Sequence, residues 1–237
     1  MLGGLDYAAG LMRKRLFTCL AGGVVLAVLA GCGGSSGRGI ASEPPQKILG
    51  DSLAAANGLK SVHAAGTINS GSQHIAIDIQ LVGGIGGQGK ISLNGLTFQL
   101  VGINHYAYMQ APPAVWQKAG APAAAAQLLQ GKWLRTPATG QFASIARLTD
   151  IHQLFGQLLT QHGQKLKTGG VSTVAGRKVV AVKGGQGTLY VAATGRPYPV
   201  ELRNAGSDGG RLDFDRFNQA VKLSAPTNTI DLPQVSG

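Results

Sequence analysis

The sequence predicts an α+β domain: a long antiparallel β-sheet with helices gathered on one side. Three observations predict it. From His74 to Val82, Ile75, Ile77, Ile79 and Leu81 alternate with Ala76, Asp78 and Gln80, the period of a strand with one face buried and one wet. Runs of this kind follow one another with only short Gly- or Asn-rich turns between them, which builds a meander; a parallel sheet would need a helix at each crossover. Helical periodicity is confined to the stretch before the first strand and to the middle of the chain, so the element order is helix, strands, helices, strands.

The elements follow in order. Pro44-Pro45 precedes a stretch in which Ile48, Leu49, Leu53, Ala56 and Leu59 recur near helical spacing, so 46–60 reads as an amphipathic helix with a thin, alanine-rich stripe suited to packing on a sheet. Val62–Ile68 and His74–Val82 are the first strands. Gly83-Gly84 begins a turn, after which Ile91 and Leu93 face inward and Lys90 and Ser92 outward. Asn94-Gly95 is a two-residue hairpin signal, and Leu96, Phe98 and Leu100 continue the inner face. His105–Met109 is a fifth, aromatic strand. Pro113 then starts a helix at Ala114–Lys118, and Pro122 another at Ala123–Gln130, with Gly131 as its stop. Lys132 to Arg135 reads as an extended return. Asp150 opens the strongest helix, striped by Ile151, Leu154, Phe155, Leu158 and Leu159 and ended by Gly163. Strands are then expected at Lys165–Val174, Arg177–Lys183, Thr188–Ala193, Pro199–Asn204, Arg211–Phe214 and Ala220–Leu223, and a loose tail from Pro226.

The N-terminal region has a different logic. Arg13-Lys14-Arg15 precedes an apolar segment, Leu16 to Leu29, and Leu29-Ala30-Gly31-Cys32 closes it. Basic cluster, apolar run and small-residue cleavage site make a secretory signal, and the apolar run is too short for the roughly 20 residues of a membrane-spanning helix. A branched residue, two small ones and a cysteine resemble the lipobox of bacterial lipoprotein signals, which implies that the Cys32 thiol accepts a diacylglyceryl group. The Gly/Ser-rich run Gly33–Gly37 is a flexible tether. Met12, directly before the basic cluster, is a better initiator than Met1. The chain thus divides into a signal peptide, 1–31; a lipidated cysteine and tether, 32–45; a folded domain, 46–226; and a tail, 227–237. It is expected on the extracytoplasmic face of the cell membrane, anchored by lipid, as a monomer.

Composition narrows the function. Twenty-one Lys and Arg stand against ten Asp and Glu, a net charge of +11, which favours anionic headgroups or polyanions as neighbours. Nucleic acid is excluded as a partner, because the cations are scattered singly along strands. Cys19 leaves with the signal, so the folded domain has no disulfide and relies on its core.

Chemistry-bearing motifs do not converge. Gly84-Ile85-Gly86-Gly87-Gln88-Gly89 matches G-x-G-x-x-G, but a strand follows where a dinucleotide site needs a helix. His63, His74, His105, His152 and His162 lack zinc-site spacing, and His162 suits a helix C-terminus. No G-x-S-x-G elbow occurs. Asp213 and Asp215, two apart on a strand beside Arg211 and Arg216, read as a charged outer face. Trp116 and Trp133 flank the small helices as core residues or as the rim of a cavity. No enzyme activity, cofactor or metal is expected.

The element order resembles the LolA/LolB-type lipoprotein carriers and, more closely, the LppX–LprAFG family of mycobacterial lipoproteins. The resemblance is carried by the lipobox and tether; by Leu59-Lys60-Ser61-Val62-His63 leading from helix to strand; and by Tyr106 to Trp116 with Gly131-Lys132-Trp133. The C-terminal series completes it: Val174-Ala175-Gly176, Leu189-Tyr190-Val191, Thr194-Gly195, Pro199-Val200 and Phe217 to Pro226. It implies a LolA-like half-barrel, its sheet curled over helices, with an apolar cavity for acylated lipid or glycolipid. Inward-facing residues assign the lipid-binding wall of that cavity to Ile77, Ile79, Leu93, Phe98, Leu100, Phe155, Leu158, Val182 and Leu202. The alternative is an anchored scaffold or interaction protein with a filled core and no ligand, since an inward Leu or Ile serves a dry core and a lipid pocket alike.

Overall fold

The computed structural model describes residues 39–70, 72–139, 143–161, 165–185, 187–204 and 209–232. The signal, the lipobox with Cys32, the tether through Gly37, His162 and Gly163 lie outside the described residues, as do the last five residues of the tail.

Residues Gly37–Gly237 form a compact unit by themselves. Its chain enters through a 3-10 turn, Ile40–Ser42, and helix α1, Pro45–Asn57. Strands β1 (Ser61–Ser70), β2 (Gln73–Val82), β3 (Gly86–Leu93), β4 (Leu96–Ile103) and β5 (Tyr106–Gln110) follow as one meander. Helices α2 (Pro113–Lys118) and α3 (Ala123–Leu128) lead to β6 (Trp133–Pro137). Helices α4 (Ala143–Leu148) and α5 (Ile151–Gln161) lead to β7 (Lys167–Val174), β8 (Arg177–Gly184), β9 (Gly187–Ala192), β10 (Pro199–Asn204) and β11 (Arg211–Asp215). Strand β12 (Thr229–Asp231) comes last. All twelve strands lie in one open, curled sheet ordered β12-β6-β5-β4-β3-β2-β1-β11-β10-β9-β8-β7. Every pair is antiparallel except β12 on β6. The half-barrel α+β architecture that the resemblance implies is therefore present.

Local chemistry explains the turns. Asn94 and Gly95 both take positive φ, at 49° and 80°, the two-residue turn whose twist matches the flanking strands. Asn104 and His105 do the same between β4 and β5, so His105 is a turn residue and not the first residue of the strand. The Asp150 carboxylate accepts from the Gln153 backbone N–H at 2.8 Å, which caps α5.

Three other expectations need correction, and one helix is added. Residues 220–223 pair with no strand; they follow a turn in which Arg216 and Asn218 take positive φ, which carries the chain off the ladder. The tail is not loose throughout: Thr229–Asp231 joins β6, held by the Arg135 guanidinium donating to the Asp231 carboxylate at 2.5 and 2.8 Å. The tether ends earlier than residue 45, because Ile40 and Ala41 already pack on the core. Helix α4 was not anticipated.

The core lies between the sheet and α1 and α5. Ile151, Leu154, Phe155 and Leu159 face inward from α5, Ile48 and Ala56 from α1, and Val62, Ile79, Leu81, Val180, Val182, Leu189, Val191, Leu212 and Phe214 from the strands. Phe155 and Phe214 meet with ring centroids 5.0 Å apart and planes tilted by 51°, a favoured aromatic geometry.

Candidate apolar face for a lipid ligand

Strand registers sort the inner face into cross-strand rows, because residues paired across an antiparallel ladder share a face. Nearest the α4–α5 junction runs Val62, Leu81, Gly87, Gly102, Ala107, Thr136. The next is Phe214, Ala64, Ile79, Gly89, Leu100, Met109, Leu134. The third is Val182, Leu189, Leu202, Leu212, Gly66, Ile77, Ile91, Phe98. The last is Ile68, Ile75, Leu93, Leu96, at the end of the sheet formed by the Asn94-Gly95 hairpin.

All seven strand residues assigned to a lipid wall fall on this one face. Ile77, Phe98, Val182 and Leu202 share the third row, Ile79 and Leu100 the second, and Leu93 lies in the last. From α5, Phe155 is fully buried within the main cluster and Leu158 packs, half-buried, at its margin. The nine fall in different packed clusters. Ile77, Ile79, Phe155, Val182 and Leu202 interlock in the main core, while Leu100 packs in a smaller cluster with Ile91, Ala107 and Ile145. Phe98 bridges that cluster and a third built on Trp116, Ala126 and Leu134. Leu93 is 38% exposed, at the rim.

Pairing register, invisible in sequence, shows that Leu93 is not alone. Ile68, Ile75 and Leu96 stand beside it, each half-buried, so an apolar rim of four side chains borders one open end of the inner face. At the opposite end lies a cleft of about 300 Å³ lined by Gly84, Ile85, Asn104, His105, Tyr106 and Thr149 among others. Thr149 explains the glycines of the first row. It is 2% exposed, its hydroxyl donates to the Ile145 carbonyl at 2.8 Å, and a Cβ on Gly102 would stand 2.2 Å from its Oγ1. Only a bare backbone at Gly102 lets the end of α4 sit directly on the strands. Trp116 is buried, its indole N–H donating to the Ala111 carbonyl at 3.0 Å; Trp133 is half-buried.

The outer face mixes charged side chains with a buried apolar cluster of Val174, Val179 and Val200. Asp213 and Asp215 both point there, as alternation requires, and Arg211 donates to Asp213 at 2.7 Å and pairs with Glu201 at 2.9 Å. The hydrogen bond with Asp213 holds the Arg211 guanidinium above its ordinary pKa. Glu201 is fully buried by its arginine neighbours, Arg203 being the second. His63 stands between Asp215 at 2.7 Å and Asp78 at 3.0 Å, a strap across β11, β1 and β2. These are polar contacts along the strands of a sheet surface. Among the described residues, no cluster of His, Cys, Asp or Glu is arranged to hold a metal, and no helix is long and apolar enough to cross a membrane.

By sequence, the chain matches no protein-family model and no characterised protein. Among solved structures its fold is similar to that of LprF from Mycobacterium bovis, with a TM-score of 0.53 and 17% identity over 77% of this chain and 96% of that one. It also matches the Mycobacterium tuberculosis lipoprotein LppX, with a TM-score of 0.48 and 16% identity over 76% of this chain and 99% of that one. The LprF likeness, nearly end to end on the partner, establishes an LprF-type fold; at this identity it is a likeness of fold.

Proposed function

We propose that the chain is an extracytoplasmic lipoprotein, tethered to the cell membrane through an acylated Cys32, that binds or carries an acylated lipid or glycolipid on the inner face of its sheet. The observation that carries the reading is the half-exposed row Ile68, Ile75, Leu93 and Leu96. Four adjacent apolar side chains left open to water at the end of a buried face cost hydration free energy that an acyl chain would recover. They lead through Ile91 and Phe98 into the part of the face covered by short helices. Two acyl chains on Cys32 would hold the domain stably at the membrane, whereas one gives marginal binding.

Native mass spectrometry of the protein extracted from its own membranes in mild detergent tests the reading. The intact chain is expected to carry a lipid mass beyond that of its anchor, and Leu158→Trp, which enlarges a half-buried side chain at the margin of the main cluster, is expected to lose it. A ligand-free mass for the unmodified chain refutes lipid carriage. One observation favours a second reading in that event: Phe155, Phe214 and Leu189 are already closely packed, as in an anchored scaffold with a filled core. The anchor is tested separately, since Cys32→Ala should abolish the diacylglyceryl mass on the protein.

A further inference from the structure

A second concave site lies outside the inner face and uses none of the residues assigned to lipid. The turns 175–178 and 192–198 and the residue Phe217 enclose a cleft of about 560 Å³. Three cations line it: Arg177, Lys178 and Arg196. Among the described residues, none of the three has an acidic partner, although elsewhere on this surface Arg135, Arg203, Arg211 and Arg216 all do.

The wall is aromatic and firmly held. Tyr198 and Phe217 stack with centroids 4.8 Å apart and planes 19° from parallel. The Arg177 guanidinium lies over the Phe217 ring, 5.1 Å from its centroid. Phe217 is presented between Arg216 and Asn218, both at positive φ. Asn218 fixes the turn three ways: its side-chain amide donates to the Tyr198 hydroxyl at 3.1 Å, its carbonyl oxygen accepts from Lys60 N–H at 2.8 Å, and its own N–H donates to the Ser61 carbonyl. A guanidinium stacked through its face keeps its N–H edge free, and that edge matches two oxygens of a phosphate. Three unpaired cations in one concavity, one of them pre-oriented, favour a ligand with more than one anionic oxygen.

We infer that this cleft binds a phosphate-type oxyanion, either the phosphate of a lipid headgroup or a free phosphate, with Arg177 and Arg196 as its principal contacts and Phe217 positioning Arg177. The compact unit Gly37–Gly237 is titrated with inorganic phosphate by calorimetry. In parallel it is sedimented with vesicles of phosphatidylcholine containing phosphatidylglycerol, and with vesicles of phosphatidylcholine alone. Arg177→Gln with Arg196→Gln is compared with Lys90→Gln with Arg147→Gln, an equal charge change at exposed positions elsewhere. The cleft pair is expected to weaken binding about tenfold or more and the control pair less than about twofold, since charge-assisted contacts are local. Phosphate binding without vesicle binding identifies a free phosphate; binding only to phosphatidylglycerol vesicles identifies a headgroup. Equal losses in both pairs, or no binding of either probe, overturns the inference. Because the lipid-carriage test reads a co-purified mass and this one reads added phosphate, either can fail while the other holds.

Discussion

In the β8–β11 wing the inner face is built from Val180, Val182, Leu189, Val191, Leu202, Leu212 and Phe214, all at 7% exposure or less. Helices of 13 and 11 residues are packed over the core it shares. In the β3–β6 wing the equivalent rows mix the buried Ile91, Leu100 and Leu134 with Gly87, Gly89, Gly102, Ala107 and the half-buried Phe98 and Met109, beneath three helices of six residues each. One wing fills its own concavity with strand side chains. The other leaves room that short helices cover. A helix of six residues has scarcely any intrahelical stability of its own, so α2, α3 and α4 stay helical only while docked. If an acyl chain enters this sheet, displacement of a short helix in the β3–β6 wing costs far less than opening the α1–α5 core.

The largest expected effect tests that asymmetry directly. Phe155→Ala should lower stability by about 3–5 kcal/mol, the cost of deleting a fully enclosed aromatic, read as the shift in urea unfolding. Phe98→Ala should cost clearly less, because its ring is half-exposed already. Similar losses would erase the distinction between the wings. Next comes the seat of α4: Gly102→Val overpacks Thr149 and should cost about 1–3 kcal/mol. Amide exchange should then accelerate in 143–149 and remain slow in β8–β10; uniform acceleration would show that the lid and the core unfold as one. A smaller effect concerns the edge of the lighter wing. The Arg135 hydrogen bond holds the Asp231 carboxyl below its ordinary pKa. A depressed carboxylate contributes stability above its unfolded pKa and loses it as pH falls through the folded value, so β12 should fray only below the ordinary carboxylate range. Amide exchange of 229–231 at pH 6 and pH 3 reads this, and Asp231→Asn should abolish the difference. The smallest effect is a gain: Ala175 takes φ of 46° in the β7–β8 turn, and Ala175→Asn should stabilise by about 0.5 kcal/mol, since Asn tolerates that conformation better, measured as a rise in melting temperature.

Much of the fold was legible because its signals are local. The alternation of Ile75, Ile77, Ile79 and Leu81, the Asn94-Gly95 turn and the stripe of α5 each declare themselves within a dozen residues. Pairing across distance was not legible. Nothing in Ile68, Ile75, Leu93 and Leu96 says that they stand in one row, and nothing in Thr229–Asp231 says that β6 offers it a free edge. Helix α4 was hidden because Ala143–Leu148 is too short to display a period and is set by the fit of Thr149 on Gly102. Alternation put the seven strand residues on one face of the sheet, but it gives direction only, so their division among separate clusters and a rim could not be read from it. The cleft lined by Arg177, Arg196 and Phe217 combines residues from three separate turns, which local pattern cannot join.

The pairing of β1 with β11 has a consequence for how the chain folds. His63 and Asp215 are 152 residues apart, yet β1 sits in the middle of the sheet. Each meander can form from neighbours, but joining the two must await β11, the strand that pairs with β1, and bear a large loop-closure entropy. Until then β1 presents an open edge of ten residues to any other unpaired strand, a ready site for aggregation. A chain that ends before residue 211 keeps that edge exposed permanently, so truncation at the C-terminal side is far more damaging to solubility than the small size of the removed strand would indicate.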